Sequence, residues 1–411
     1  MSAACIRATS RRRFLHLFRP ALVTSSLRFG PPASTFSSLS RSFHLSSDEV
    51  VRRCLDAFAE CDPMRKAEKA LSLQLILEGS ASVREGEGEE KEGEGKQGRF
   101  NLSGKVRDEK GIVSMLKAES GNNMFKSDLF PADLTSSSPS LLSSLPSQPG
   151  RPSYLNFVLP HQLAVESARM EEERRKRKGL KLGRAKVVPS ISATILHSLA
   201  HIELNALDLY LDTALRAKAS TSVTFPLSFY SDIIGVALDE AKHLRWVLLR
   251  LESIGYTYGD LPVHLLLWRL AQDTSADLAG RVATVPLVQE ARGLDAGPTL
   301  EKKLRSAGDA VSAEVVRAIV GEEEGHVSVG VRWFSYLHKM GVARCGGVGG
   351  DENSEISGGR EGDGKAEAGV DEAFQWYVRK YCRVPLPKPF NELARARAGM
   401  PRQWYEPLGE E

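Results

Sequence analysis

No two of the five cysteines (Cys5, Cys54, Cys61, Cys345 and Cys382) form a C-x-x-C pair or fall at a regular spacing, which excludes a disulfide framework and a thiolate zinc cluster. The chain also lacks an apolar run of roughly eighteen residues, the length a membrane-spanning helix needs. Strand-like alternation is missing throughout, so the fold class is expected to be all-α. Acid is absent from the first 47 residues, which hold seven arginines (Arg7, Arg11, Arg12, Arg13, Arg19, Arg28 and Arg41) among serines and apolar side chains. That is the chemistry of a mitochondrial transit peptide. Leu15, Leu17, Phe18 and Leu22 supply a short apolar face, and Arg41-Ser42-Phe43 looks like a processing site, so residues 1–43 are expected to direct import into the matrix. Their removal takes the formal net charge from +3 to −4, and the mature chain is not basic.

Large apolar side chains are also scarce in parts of the interior. Residues 84–99 are almost all Glu, Gly, Lys and Arg, and residues 135–150 are rich in Ser, Pro and Leu, so 80–150 reads as a low-complexity flexible insertion. The Gly- and Glu-rich stretch 345–369 reads the same way and separates a C-terminal segment, 370–411, that is expected to pack on the core. Residues 48–79 read as helix interrupted near Asp62 and Pro63. The charge run from Glu171 to Lys178 begins with three glutamates and carries no interleaved aromatics, so it reads as a solvated linker rather than a nucleic-acid contact.

What is present is a long helical periodicity from 191 to 341. A first helix covers about 191–216, where Ile195, Leu199, Ile202, Ala206, Leu209 and Thr213 recur at three- and four-residue steps. Pro226 opens a second helix and Gly255 closes it. A short helix follows from Pro262 to about Asp273, then a third long one to about Leu294, bent near Pro286. Gly297-Pro298 is expected to break the chain before a short helix to Gly308, and a last long helix runs from Asp309 to about Met340.

These helices carry a specific set of ligand-type residues. Di-iron carboxylate bundles take one glutamate from each of two helices and a Glu-x-x-His pair from each of the other two. Residues i and i+3 are separated by about 300° of rotation, so both can point at one interior metal. In chain order the sequence offers Glu203, then Glu240 with His243, then Glu290, then Glu323 with His326. Glu203 and Glu240 each lie about eighteen residues from the turn near Thr221, as ligands on antiparallel partners must; Glu290 and Glu323 flank Gly308 more loosely, at about eighteen and fifteen. Glu203 sits among Leu199, Ile202, Ala206 and Leu207, and Glu290 follows Val285, Leu287 and Val288, where an unpaired carboxylate would be costly. Asp239 and Glu322, four residues before the two histidines, are candidates to hold them by the second ring nitrogen across the bundle. His197 and His201 are out of phase with Glu203 and read as core histidines, and Tyr210 as a core tyrosine.

Carboxylate and imidazole without thiolate suit two metal ions, iron first, with manganese or a mixed manganese and iron pair as the alternative. The expected function is an O2-dependent oxidase or monooxygenase acting on an unknown substrate, with an electron donor if it is a monooxygenase. The alternatives are ferroxidase-type iron handling and a metal-stabilised interaction module without turnover. A homodimer is allowed for. Trp376, Tyr377, Trp404 and Tyr405 are expected to shape the entrance to the site.

The block from Ser192 to Phe334 resembles the ferritin-like family designated domain of unknown function 455 (DUF455). The resemblance rests on HSLAHIELNALD (197–208), DEAKH (239–243), GDLP (259–262), PLVQEARGLD (286–295), and the GHV and RWF of the last long helix. At the end of the chain, Pro389-Phe390-Asn391, Ala398-Gly399-Met400 and Trp404-Tyr405 resemble it too. It implies a ferritin-like four-helix bundle with extra helices, with Glu203, Glu240, His243, Glu290, Glu323 and His326 as the metal ligands, and it implies no substrate. More distantly the bundle is similar to a di-iron tRNA hydroxylase, an analogy of fold alone.

Overall fold

A computed structural model describes residues 46–82, 109–119, 130–180, 188–344, 369–382 and 385–409. The expected transit peptide and residues 345–368 lie outside these described residues. Among the described residues the regular structure is helical, with two isolated bridges (Phe157 to Val263 and Leu386 to Gly409) in place of any strand. The protein is all-α.

The helices are α1 (Ser47–Ala59), α2 (Pro63–Ser82), α3 (Glu109–Glu119), α4 (Pro139–Ser144), α5 (Leu163–Arg177), α6 (Ile191–Ala219), α7 (Leu227–Ser253), α8 (Leu266–Asp273), α9 (Leu278–Val282), α10 (Glu290–Ser306), α11 (Ala310–Lys339), α12 (Val370–Tyr381), α13 (Glu392–Arg397) and α14 (Arg402–Tyr405). A π-helical segment, Ala283–Gln289, joins α9 to α10. The centre is built by α6, α7, α10 and α11. α6 packs along α7, α10 along α11, and the two pairs close on each other. Local chemistry sets their ends: Ser190 caps α6 by accepting the Ala193 N–H, and Asp309 caps α11 by accepting the Ser312 N–H. Leu196, Ala200, Leu204, Leu207 and Leu211 on α6 face Ile233, Ala237, Ala241, Leu244 and Leu251 on α7 in one apolar core.

Three expectations are corrected. First, part of the supposed insertion is folded. Ile112, Met115 and Leu116 form a buried stripe on α3, Glu119 accepts hydrogen bonds from Arg245 Nη1 and Trp246 Nε1 (2.7 Å each), and Leu134 is buried while Lys218 donates to the Asp133 carbonyl. The apolar spacing at 112, 115 and 116 was diluted by the charged residues around it. Second, the charge run is helix α5, not a linker. Glu171, fully buried, accepts from Arg174 (2.7 and 3.0 Å) and Arg175 (2.8 Å), and the Arg174 guanidinium lies 3.6 Å above the Tyr256 ring.

Third, Gly297-Pro298 does not break the chain, because α10 continues through it to Ser306. Pro298 has no N–H for the carbonyl of Leu294, four residues earlier. That carbonyl accepts from Asn391 Nδ2 instead, at 3.1 Å. Gly297 is needed for contact, since a Cβ there would lie 2.2 Å from Val320 Cγ2 on α11. The Asn391 backbone N–H also donates to Asp295 (2.7 Å), and Asp295 pairs with Arg395 (3.0 and 2.5 Å), whose guanidinium is buried between Phe390 and Tyr405. The C-terminal segment is thus fastened to the broken turn of α10. We predict that Asn391→Leu lowers stability by about 1–3 kcal/mol, and that adding Pro298→Ala recovers part of the loss by restoring a donor to Leu294. Urea unfolding of the two variants would refute this assignment if Pro298→Ala recovers nothing.

Candidate metal centre

The ladders of α6, α7, α10 and α11 bring all six candidate residues to one level in the middle of the core. Ligand-type atoms of Glu203, Glu240, His243 and Glu323 lie within 4.8 Å of one another, and so do those of Glu240, Glu290, Glu323 and His326. Either group could hold a metal ion. Glu240 and Glu323 belong to both. Glu203 and Glu290 come from the single-glutamate helices α6 and α10, and the π-helical turn at Pro286 delivers Glu290 as the first residue of α10. Each of the six residues is at most 7% exposed.

So much buried carboxylate needs compensation, because an unpaired buried charge costs several kcal/mol or more. Direct hydrogen bonds supply only part. His243 Nδ1 and Glu240 Oε1 have no hydrogen-bond partner, although His243 Nδ1 sits 3.7 Å from both Glu203 and Glu240 and His326 Nδ1 sits 3.0 Å from that Glu240 oxygen. The atoms crowd together without aligning as donors and acceptors, as ligands arranged around an ion would. His326 Nδ1 also lies 3.3 Å from Glu323 and 3.8 Å from Glu290. Tyr210 Oη donates to Glu290 Oε1 at 2.8 Å.

The outer nitrogens face carboxylates crosswise, and only that of His243 is hydrogen-bonded. His243 of α7 donates from Nε2 to Glu322 Oε2 of α11 at 2.8 Å, while Nε2 of His326 on α11 faces Asp239 Oδ2 of α7 at 3.5 Å. A carboxylate on Nε2–H keeps the Nδ1 lone pair turned inward. Sequence reasoning missed Lys242, which lies 2.8 Å from both Asp239 and Glu322 and so ties the two carboxylates into one unit. Its place three residues after Asp239, on the same face, was the available signal. His197 and His201 are not part of the centre. His197 Nε2 accepts the Gly259 N–H (2.9 Å); His201 donates from Nε2 to the His264 carbonyl (2.7 Å) and accepts at Nδ1 from Tyr258 (2.6 Å). Burial pushes their pKa values down to about 3 and about 4, which keeps both neutral.

Proton affinities in the cluster diverge as crowding requires. Burial, then repulsion from Glu240, pushes Glu203 up to about 8, and burial with the neighbouring Glu290 raises Glu323 far above the carboxylate range. Burial also opposes charge on Glu240, but His243 and His326 together outweigh it and hold that carboxyl low. Burial likewise works against His243 and His326, and the surrounding carboxylates outweigh it, raising both well above the usual imidazole value. Without a metal, protons occupy the cluster.

On the side of α6 and α10 the centre opens into a cavity of about 390 Å³ that reaches Glu203, Glu240, Glu290 and Glu323 but neither His243 nor His326; His197, His201 and His264 also line it. Leu199, Ile202, Leu209, Val285, Ile319 and Val320 supply much of its wall, and Ser198, His264, Gln289 and Arg292 add polar groups.

Residues 115–406 match the family described as "Protein of unknown function (DUF455)". An uncharacterized protein of Haemophilus influenzae is 41% identical over 149 residues, 36% of this chain and 52% of the relative, so the chain spans about half the length of the curated relative it matches. No solved structure matches the chain.

The raised groups bind protons more tightly folded than unfolded, so their stabilisation is complete below the unfolded values and lost as pH rises through the folded ones. Glu203 spans 4.5 to about 8 and Glu323 acts in the same direction, joined by His243 and His326 above the ordinary imidazole value of 6.5, whereas His197 and His201, lowered by burial, act oppositely below it. The metal-free chain is therefore expected to lose thermal stability from about pH 6.5 to pH 8, with Glu203→Gln flattening the decline. A melting temperature that climbs over this interval would contradict the assignment.

Proposed function

The chain belongs to the DUF455 family, and from that premise and the buried centre we propose a ferritin-like di-iron carboxylate protein that works as an O2-dependent oxidase or monooxygenase. The observation that carries this reading is the overlap of the two ligand groups. Glu203 and His243 would hold one ion, Glu290 and His326 the other, with Glu240 and Glu323 shared between them. Four carboxylates and two imidazoles without thiolate favour iron or manganese over structural zinc. A ferrous pair, when bound, supplies the electrons for reducing O2.

The remaining work falls to the chain. Glu322 fixes the His243 ring through Nε2, and Lys242 keeps Glu322 and Asp239 in place. Tyr210 holds a proton 2.8 Å from Glu290 Oε1, orienting that carboxylate. Leu199, Leu209, Val285, Ile319 and Val320 line the approach to the carboxylate face. This apolar stretch favours an organic substrate over iron traffic, since it offers an ion no ligand on the way to the four carboxylates. The acid-free leader supports action in the mitochondrial matrix, and an endogenous chain that still begins before residue 43 would speak against it.

Anaerobic iron loading of the mature protein, followed by oxygen exposure with absorbance recorded, tests the reading. About two irons per chain and an optical change with oxygen uptake are expected. Glu323→Ala should lose both irons, and Glu203→Ala about one. Substoichiometric iron in the wild type, or identical loading in Glu323→Ala, would sink the proposal.

A further inference from the structure

The two faces of the centre are built from opposite materials. The α7 and α11 face is closed by charge: Lys242, Asp239 and Glu322 stand behind the histidines, and none of them lines the cavity. The α6 and α10 face is open. There Leu199, Ile202, Ala206 and Leu209 form one stripe of α6, and Gly293, Ala296 and Leu300 one stripe of α10, with α11 as the floor. The gap exists because two inner positions are small. A Cβ at Gly293 would make only ordinary contacts, the nearest 3.6 Å from Glu323 Cδ, and Ala206 offers a single methyl one turn from Glu203. None of the described residues fills the space between them.

The cavity ends on an unsatisfied group. Glu240 is 1% exposed, lines the inner end, and its Oε1 has no hydrogen-bond partner. The outer rim carries two exposed apolar side chains, Ile202 (44%) and Leu266 (47%), beside the exposed Ser198 and Arg292. Ser198, His264, Gln289 and Arg292 also line the space, but a polar group placed against Leu199, Leu209, Val285, Ile319 or Val320 would lose its hydrogen bonds, at a cost of about 1–3 kcal/mol. A hydrocarbon would not. The volume, about 390 Å³, falls within the roughly 300–1,000 Å³ range of small-molecule sites.

We propose that this cavity binds a small, largely apolar organic molecule, entering between α6 and α10 past Ile202 and Leu266 and presenting its hydrocarbon part to the four carboxylates. That the molecule is a substrate rests on the di-iron reading above; that it binds does not.

The experiment uses the whole mature chain and the neutral fluorophore 1-aminoanthracene, titrated with metal-free and iron-loaded protein, then competed with decan-1-ol or with adenosine. Expected is a saturable signal of about one probe per chain, displaced by decan-1-ol and not by adenosine, and at least tenfold weaker in Ala206→Phe and Ala296→Phe. Leu393→Ser, at an exposed leucine outside the cavity, should bind as the wild type does. Circular dichroism checks that the filled variants keep their helices. Should Ala206→Phe fail to fold, Ala296→Phe at the exposed rim decides. Undiminished binding in the folded filled variants, displacement by adenosine alone, or no saturable binding would overturn the proposal. Stoichiometric iron without probe binding defeats this inference alone, whereas probe binding as expected in a chain that takes no iron upholds the ligand class and defeats the di-iron reading.

Discussion

Carboxylates buried in excess of the cations available to them govern this structure. Glu203, Glu240, Glu290 and Glu323 meet at the centre, Asp239 and Glu322 stand directly behind, and the cationic groups within reach are His243, His326 and Lys242. Such a concentration of like charge is tolerable only if protons or metal ions join it. The raised affinities of Glu203 and Glu323 for protons express that demand, and the misaligned contacts around Glu240 and His243 express the geometry in which an ion answers it.

Holding the cluster against its own repulsion requires helices that cannot slide, and other buried charges provide the fixing. Asp208 on α6 pairs with Lys66 of α2 at 2.7 Å and with Arg151, which also reaches Asn205. Lower on α6, Asp212 takes Arg281 of α9 at 2.6 Å. Asp295 on α10 takes Arg395. Each pair ties a helix bearing a candidate ligand to a segment outside the four-helix centre, and removing one partner of such a pair typically costs about 3–5 kcal/mol. This explains why Asn205, Asp208 and Asp295 accompany Glu203 and Glu290 in the same short runs of sequence: they fix the register of the carboxylates without touching them.

The four long helices and the six clustered residues were legible because they depend on short-range spacing. Glu-x-x-His places two groups on one side of a turn, equal distances from a hairpin set the level, and apolar neighbours mark a buried carboxylate. Crosswise support by Asp239 and Glu322 was legible for the same reason. Gly297-Pro298 misled because its rescue is non-local: Asn391 donates to Leu294 from nearly a hundred residues away. The charge run from Glu171 misled through composition, since local pairs satisfy Glu171 and the ring of Tyr256 covers Arg174. His201 was correctly set aside by phase, yet its clasp on the His264 carbonyl and Tyr258 depends on a loop that spacing cannot position.

The cavity belongs to a further category, because it is made of what is missing. Ala206 and Gly293 are ordinary helix residues in sequence, and only the approach of α6 to α10 turns their lack of side-chain volume into space beside Glu203 and Glu323. Closed packing there would have been easy to reach, since core positions elsewhere on α6 carry leucine. An unfilled apolar space forfeits dispersion contacts along its whole lining, and that loss grows with volume. Stability alone would favour larger side chains at 206 and 293. The opposite face of the same centre, filled by Lys242, Asp239 and Glu322, shows that the fold can seal this level when it has only to support it. Space left on one side and charge packed on the other divide the centre into an open face and a closed one.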